Sequence, residues 1–210
     1  MGLISLLFSN PVLFAILAVL LLYSIIAHEV AHGWVAHLFG DDTAKSYGRL
    51  TLNPLSHIDP VGMLMLFFVG FGWAKPVPID YYRLRNSRIG LIAVSLAGCL
   101  ANIFIATIAI FFLQLPAIST NQVLLAILSI VVRINIILGA FNLIPIPPLD
   151  GSKILMGFLP LSGQKIMARL ERYGFFIIII LLYAGILDPV ITFIQNLIYA
   201  MIGLLFGLFK

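Results

Sequence analysis

Long apolar runs separated by short polar connections dominate the chain. Residues 11–39 form the first run, opened by Asn10 as an N-cap with Pro11 at the first helical position and closed by Gly40. As a helix it would extend about 43 Å, more than the roughly 30 Å of a bilayer's hydrocarbon core, so the end near Gly40 projects. Four more runs are long enough to span: residues 89–113, 123–144, 166–187 and 190–209. The run Val61–Trp73 is not, since it would cover only about 20 Å. With basic loops on both sides it predicts a re-entrant element. Between Ser46 and Leu52 polar and apolar residues alternate as on a strand edge, a candidate small β-hairpin that could hold an extended peptide. The expected fold is an all-α polytopic membrane protein of about five transmembrane helices, forming a single membrane-embedded domain over residues 1–210.

Composition agrees with that pattern. Of 210 residues, 62% are hydrophobic and 10% charged, which excludes an ordinary soluble domain. A net charge of +4 could suggest nucleic acid, but the basic residues fall in short connections and mark orientation instead. Lys45, Arg49, Lys75, Arg83, Arg85, Arg88, Lys153, Lys165, Arg169 and Arg172 lie in three connections on one side, whereas 114–122 and 188–190 carry no Lys or Arg. Those three connections are expected on the cytoplasmic side, with the amino terminus outside and Lys210 inside. Arg133 falls within a span: it faces a polar cavity, pairs with a carboxylate, or marks shifted span boundaries. The single cysteine, Cys99, allows no intramolecular disulfide, and the amino terminus lacks the charged region and cleavage site of a signal peptide.

The chemistry concentrates at His28-Glu29-Val30-Ala31-His32, inside the first span. Residues four apart stand about 40° apart around a helix, so both imidazoles can reach one zinc ion with Glu29 beside it as a base. Ionisable groups at membrane depth are costly and mark function. A catalytic zinc needs a third protein ligand and an open position. His37 is nine residues beyond His28 and about 180° around the helix, and His57 lies in a polar turn. Asp150 follows Pro145, Pro147 and Pro148, which break a helix and free backbone groups. By spacing alone it serves equally as a third ligand or as the cap of the next helix. Polar residues in broken membrane helices also suit a transporter or channel, and a closed metal site suits an inactive scaffold. Without an internal repeat, and with Glu29 intact beside the histidines, hydrolysis accounts for the set better.

HEVAH in a membrane helix, followed in order by NPLSHIDPVG (53–62), GWAKPVPID (72–80), SLAGCLAN (95–102) and FNLIPIPPLDG (141–151), resembles the intramembrane zinc metalloproteases of the site-2 protease family. The resemblance covers residues 20–155. It implies that His28, His32 and Asp150 bind one zinc per chain and that Glu29 is the catalytic base. It also marks Asn102 and Asn142 as candidate substrate-binding or oxyanion-stabilising residues, each otherwise an interhelical hydrogen-bonding group. The implied activity is cleavage of a single-span membrane protein within or near its transmembrane helix, releasing a cytosolic fragment. Such a protein works in the lipid bilayer, with gating from the membrane core or from a separate regulatory protein. Cys99 stands where many relatives have proline, no PDZ or CBS domain is present, and the chain begins with the metal-binding span.

Overall fold

A computed structural model describes residues 3–69 and 74–207, and among them every regular element is helical. A short helix, α1 (Leu3–Ser9), precedes α2 (Pro11–Leu38), whose start is fixed by the Asn10 side chain accepting from the Leu13 N–H at 3.0 Å. Past the end of α2, Gly40 takes φ +98, which only glycine adopts without strain, and the chain turns into α3 (Thr43–Ser46). A 3-10 turn at Pro54–Ser56 leads to α4 (Pro60–Val69), then to α5 (Ser87–Leu113), α6 (Pro116–Ser119) and α7 (Gln122–Asn142). After the proline-rich break come α8 (Asp150–Phe158), α9 (Leu161–Tyr183) and α10 (Leu187–Leu205). Four of these, α2, α5, α7 and α10, are long and apolar enough to cross a membrane. Together with the family assignment below, they make this an integral membrane protein.

The central helix is α5. It runs antiparallel to α2, with Asn102 beside Ser24 and Val94 beside His32, and packs along α7. Ala106 and Ala109 let α5 and α7 approach closely, and Ile198 and Ile202 of α10 fill the same core. The order of α10 follows from its partners. Ile191 and Ile194 pack near Ile144, just beyond α7, whereas Phe206 stacks on Phe111 near the end of α5. Thus α10 runs antiparallel to α7, and its last turn shares one end of the bundle with the start of α2.

Two expectations are not confirmed here. The fifth expected span, 166–187, is helical over 166–183 as part of α9, which is not among the four apolar helices, and then turns into α10 at Leu187. Lys165, Arg169, Glu171 and Arg172 occupy its first half, and the uncharged remainder from Tyr173 to Tyr183 covers only about 17 Å. Its end does not climb the bundle, because Leu182 packs in the same cluster as Ile144 and Leu149. The described end of α10 packs beside Phe111, at the end of the bundle that holds the end of α5. Nor is there a strand at Ser46–Leu52. The segment ends α3, turns at Gly48 with φ +63, and holds Arg49 buried rather than alternating across a sheet.

The expected re-entrant segment begins as α4, while residues 70–73 lie outside the described residues. Its two ends meet: the Lys75 N–H donates to the His57 carbonyl at 2.8 Å, so the excursion leaves and returns at one level.

Candidate functional site

Three polar side chains, Ser24, His28 and His32, follow one another at four-residue spacing along α2 and face α5 in the buried interior. The His28 Nδ1 lies 2.7 Å from Asn102 Oδ1, and the His32 Nδ1 lies 2.6 Å from the Val94 carbonyl. Since both partners are oxygen acceptors, each imidazole donates from Nδ1 and leaves Nε2 bare. The orientation of Asn102 is itself anchored. Its Nδ2 donates to the Ser24 carbonyl at 3.2 Å and to Asn135 Oδ1 at 2.8 Å. Asn135 in turn donates to Ser24 Oγ and to the Val131 carbonyl. Backbone carbonyls at both ends leave these amides one orientation each.

The bare Nε2 atoms of His28 and His32 stand 3.0 Å apart, and Asp150 Oδ2 is 3.0 Å from one and 3.1 Å from the other. Three acceptors converging at that distance have no hydrogen to share, so the cluster calls for a cation. A zinc ion with nitrogen ligands at about 2.0 Å and oxygen at about 2.1 Å sets neighbouring tetrahedral donors about 3.3 Å apart, a few tenths of an ångström from what is found. The donor set therefore fits zinc, with three protein donors converging among the described residues. Space for the imidazoles depends on Gly98, where a Cβ would stand 2.5 Å from His32 Nε2 and 2.6 Å from His28 Nε2. Asp150 arrives because the proline-rich segment ends α7 and lets α8 start inside the bundle. At Gly151 a Cβ would stand 2.3 Å from the Leu143 carbonyl oxygen and 2.5 Å from that of Ile144, so a larger residue would push α8 away.

Glu29 points to the other side of the pair. Its Oε2 accepts the Val77 N–H at 2.9 Å, and it lines a cavity of about 680 Å³ with His28, His57, Asn142, Phe141, Leu149 and Ile191 among its walls. The strip 74–80 that carries Val77 is clamped at several points. Arg49 donates to the Lys75 and Pro76 carbonyls at 2.8 and 3.3 Å, and Asp41 Oδ2 accepts the Asp80 N–H at 2.7 Å. Burial works against the Asp41 carboxylate, but bonds from the Thr43 hydroxyl and from the Asp80 and Thr43 N–H groups outweigh it and hold its pKa below the usual value.

Of the residues singled out in the sequence, His28, His32 and Asp150 come together and Glu29 stands beside them. Asn102 lies behind His28, with both amide hydrogens engaged and none left for an oxyanion. Asn142 does line the cavity and spends one N–H on the Leu138 carbonyl. His57 stays out of the donor cluster, its Nε2 donating to the Thr51 carbonyl at 2.8 Å, and His37 turns away to Asp42. Sequence reasoning missed Asn135, Gly98 and the Val77 N–H. The first was signalled by a polar residue deep in an apolar run; the other two carry no side-chain signal.

The model of peptidase family M50 matches residues 114–185, which include Asn142 and Asp150. A candidate zinc metalloprotease of Bacillus subtilis, YwhC, is 40% identical over 172 residues, covering 79% of this chain and 78% of its own. The chain belongs to peptidase family M50. The site-2 protease resemblance thus holds for this M50 chain. A second similar protein, the candidate zinc metalloprotease Rip2 of Mycolicibacterium smegmatis, is 30% identical over 80% of this chain and 66% of its own. The zinc metalloprotease MJ0392 of Methanocaldococcus jannaschii is 27% identical over 93% of this chain and half of its own length. No solved structure matches the chain.

Proposed function

We propose that this M50 chain is an intramembrane zinc metalloprotease that hydrolyses a peptide bond within or near the transmembrane helix of a single-span substrate and releases a cytosolic fragment. The observation that carries the reading is the convergence of His28 Nε2, His32 Nε2 and Asp150 Oδ2 inside an apolar bundle, with the Glu29 carboxylate at the mouth of a cavity beside them. The names of the relatives support zinc as the ion. When bound, zinc supplies a Lewis acid and lowers the pKa of water towards 7.

The chain's own residues do the rest. Asn102 and the Val94 carbonyl hold the two imidazoles in the tautomer that presents Nε2, and Asn135 with Ser24 holds Asn102. Glu29 takes the proton of the attacking water and returns it to the leaving amine, while the Val77 N–H fixes the carboxylate. Asn142, with an N–H to spare at the cavity wall, is the protein donor available to hold the scissile carbonyl or its oxyanion. The largely apolar cavity takes a substrate segment from lipid, and that segment must be unwound, since helical amides are hydrogen-bonded and shielded. The basic connections support a site in the cytoplasmic half of the membrane.

Glu29→Gln tests the reading in purified, lipid-reconstituted protein. It keeps size and hydrogen bonding but removes the base, so metal content should stay near one zinc per chain while cleavage of a single-span substrate falls by about a hundredfold or more. Comparable turnover in both proteins would sink Glu29 as the base. Ion flux through wild-type liposomes without peptide cleavage would replace the protease with a transporter.

A further inference from the structure

Helix α9 carries a stripe that neither the donor cluster nor the cavity uses. Lys165, Arg169 and Arg172 fall at i, i+4 and i+7, so they share one face of the helix, and all three are exposed. None forms an ion pair with a described residue. Continued along the helix, the same face reaches Phe176 and Tyr183, which are 65% and 83% exposed. It therefore passes from three cations over about 11 Å to an apolar stretch of similar length. Gly174 lies half a turn round from Lys165, and a Cβ there would stand 2.3 Å from the Pro147 carbonyl oxygen. With Ile178, buried on that side, this fixes which face of α9 meets the bundle and leaves the cationic face pointing away from it. Beside the cations, at their own level, Ile166, Leu170 and Tyr173 are also exposed.

We propose that this outward face of α9 is a docking site for an anionic phospholipid, its phosphate held by Lys165, Arg169 and Arg172 and its acyl chains laid against Phe176 and Tyr183. Charge complementarity requires a negative partner. The order along the stripe, cations first and uninterrupted apolar residues after, matches a headgroup followed by its chains. Depth agrees: a run of cations cannot lie in hydrocarbon, whereas Ile178 and Leu182, further along α9, pack with Ile144 and Leu149 of the bundle. The change of character near Tyr173 thus marks the headgroup boundary, where tyrosine is favoured. A basic helix face flanked by exposed apolar side chains, here Ile166, Leu170 and Tyr173, is the form that enters a lipid interface. A second copy of this chain would set cations against cations, or against Phe176 and Tyr183. An acidic soluble partner would match the cations but leave those two aromatic residues uncovered. The site goes beyond the protease reading and does not depend on it. It places a lipid on the helix whose other face walls the cavity with Phe175, Ile178 and Leu182.

The test uses full-length protein in phosphatidylcholine liposomes that contain a small fraction of photoactivatable phosphatidylglycerol or, in a parallel sample, photoactivatable phosphatidylcholine, each with its reactive group on an acyl chain. Peptide mass spectrometry compares labelling of residues 173–183 with that of the exposed stripe Leu100, Phe104 and Ile108 on α5, where residues 89–113 carry no cation. The phosphatidylglycerol-to-phosphatidylcholine ratio should be at least about fivefold higher on α9 than on α5, the preference that even one cation near the surface confers. In the triple variant Lys165→Gln, Arg169→Gln, Arg172→Gln the two ratios should become equal, and at about 0.5 M salt the wild-type preference should shrink. Because α5 is read in the same sample, a folding defect that alters labelling throughout is told apart from loss of the site. Equal ratios in the wild type, a preference that survives the triple substitution, or no labelling of α9 by either lipid overturns the assignment. Cleavage is not measured, so any of these results leaves the protease reading standing.

Discussion

His28 and His32 show how much of a candidate metal centre is decided behind its donor atoms. Each imidazole has two nitrogens, and only the oxygen on the far side determines which one faces inward. For His28 that oxygen is Asn102 Oδ1, so Asn102→Leu should lower zinc affinity about tenfold to a hundredfold without abolishing binding. His28→Ala, His32→Ala or Asp150→Ala should instead empty the site, whereas His37→Ala should retain zinc, as metal analysis of purified protein can show. Gly98→Ala should behave like a ligand loss, because its methyl would stand inside van der Waals contact of both Nε2 atoms. Full zinc content in that variant would contradict the packing found. The histidine pair was legible in the sequence from its spacing. Asp150 was not, since a residue after a proline break serves a cap as readily as a metal.

At the scale of elements, the irregular strip 74–80 matters as much as the helices. It hangs from the region just beyond α2 through Asp41 and Arg49 and delivers the Val77 N–H to Glu29. Val77→Pro removes that hydrogen and should cut turnover about tenfold or more at unchanged zinc content, since a catalytic base off its position loses effectiveness steeply. Asp41 adds a pH dependence. Its carboxylate is favoured in the folded state, so its contribution is full above the ordinary value near 3.8 and is lost as pH falls through the lower folded value. The thermal midpoint of wild type should exceed that of Asp41→Asn at about pH 6, and the gap should narrow as pH falls below the ordinary value of 3.8. An unchanged gap would mean that the carboxylate's charge plays no part in the clamp. None of these contacts has a periodic signature, because they join backbone groups far apart in sequence.

For the whole molecule, the four apolar helices alternate in direction: α2, α5, α7 and α10 traverse the bundle in turn, while α9 stays in the half that holds the basic connections. Fusion reporters at the start of α2 and at the end of α10 should therefore report the same side of the membrane, with reporters in the 41–56 and 75–86 connections on the opposite, cytoplasmic side. Opposite sides for the two ends would require α9 to cross after all. The substrate cut should fall in the half of its span nearer the basic connections, and replacing Gly, Pro or Asn at the cut by Leu should slow cleavage by keeping the helix wound. Product mass spectrometry reads both.

By itself the sequence determined that this is a helical membrane protein, where the long helix that carries His28, Glu29 and His32 begins and ends, and that these three share one stretch of it. Those properties are local: apolar length, capping chemistry and a period of 3.6 residues act within one segment. Only the tertiary structure decided that Asp150 closes the donor triangle, that Asn102 backs His28, and that the end of α9 packs beside Ile144 and Leu149. Each of these depends on a contact between segments far apart in the chain, and such a contact is set by which helices can approach closely at Gly98, Ala106 and Gly151.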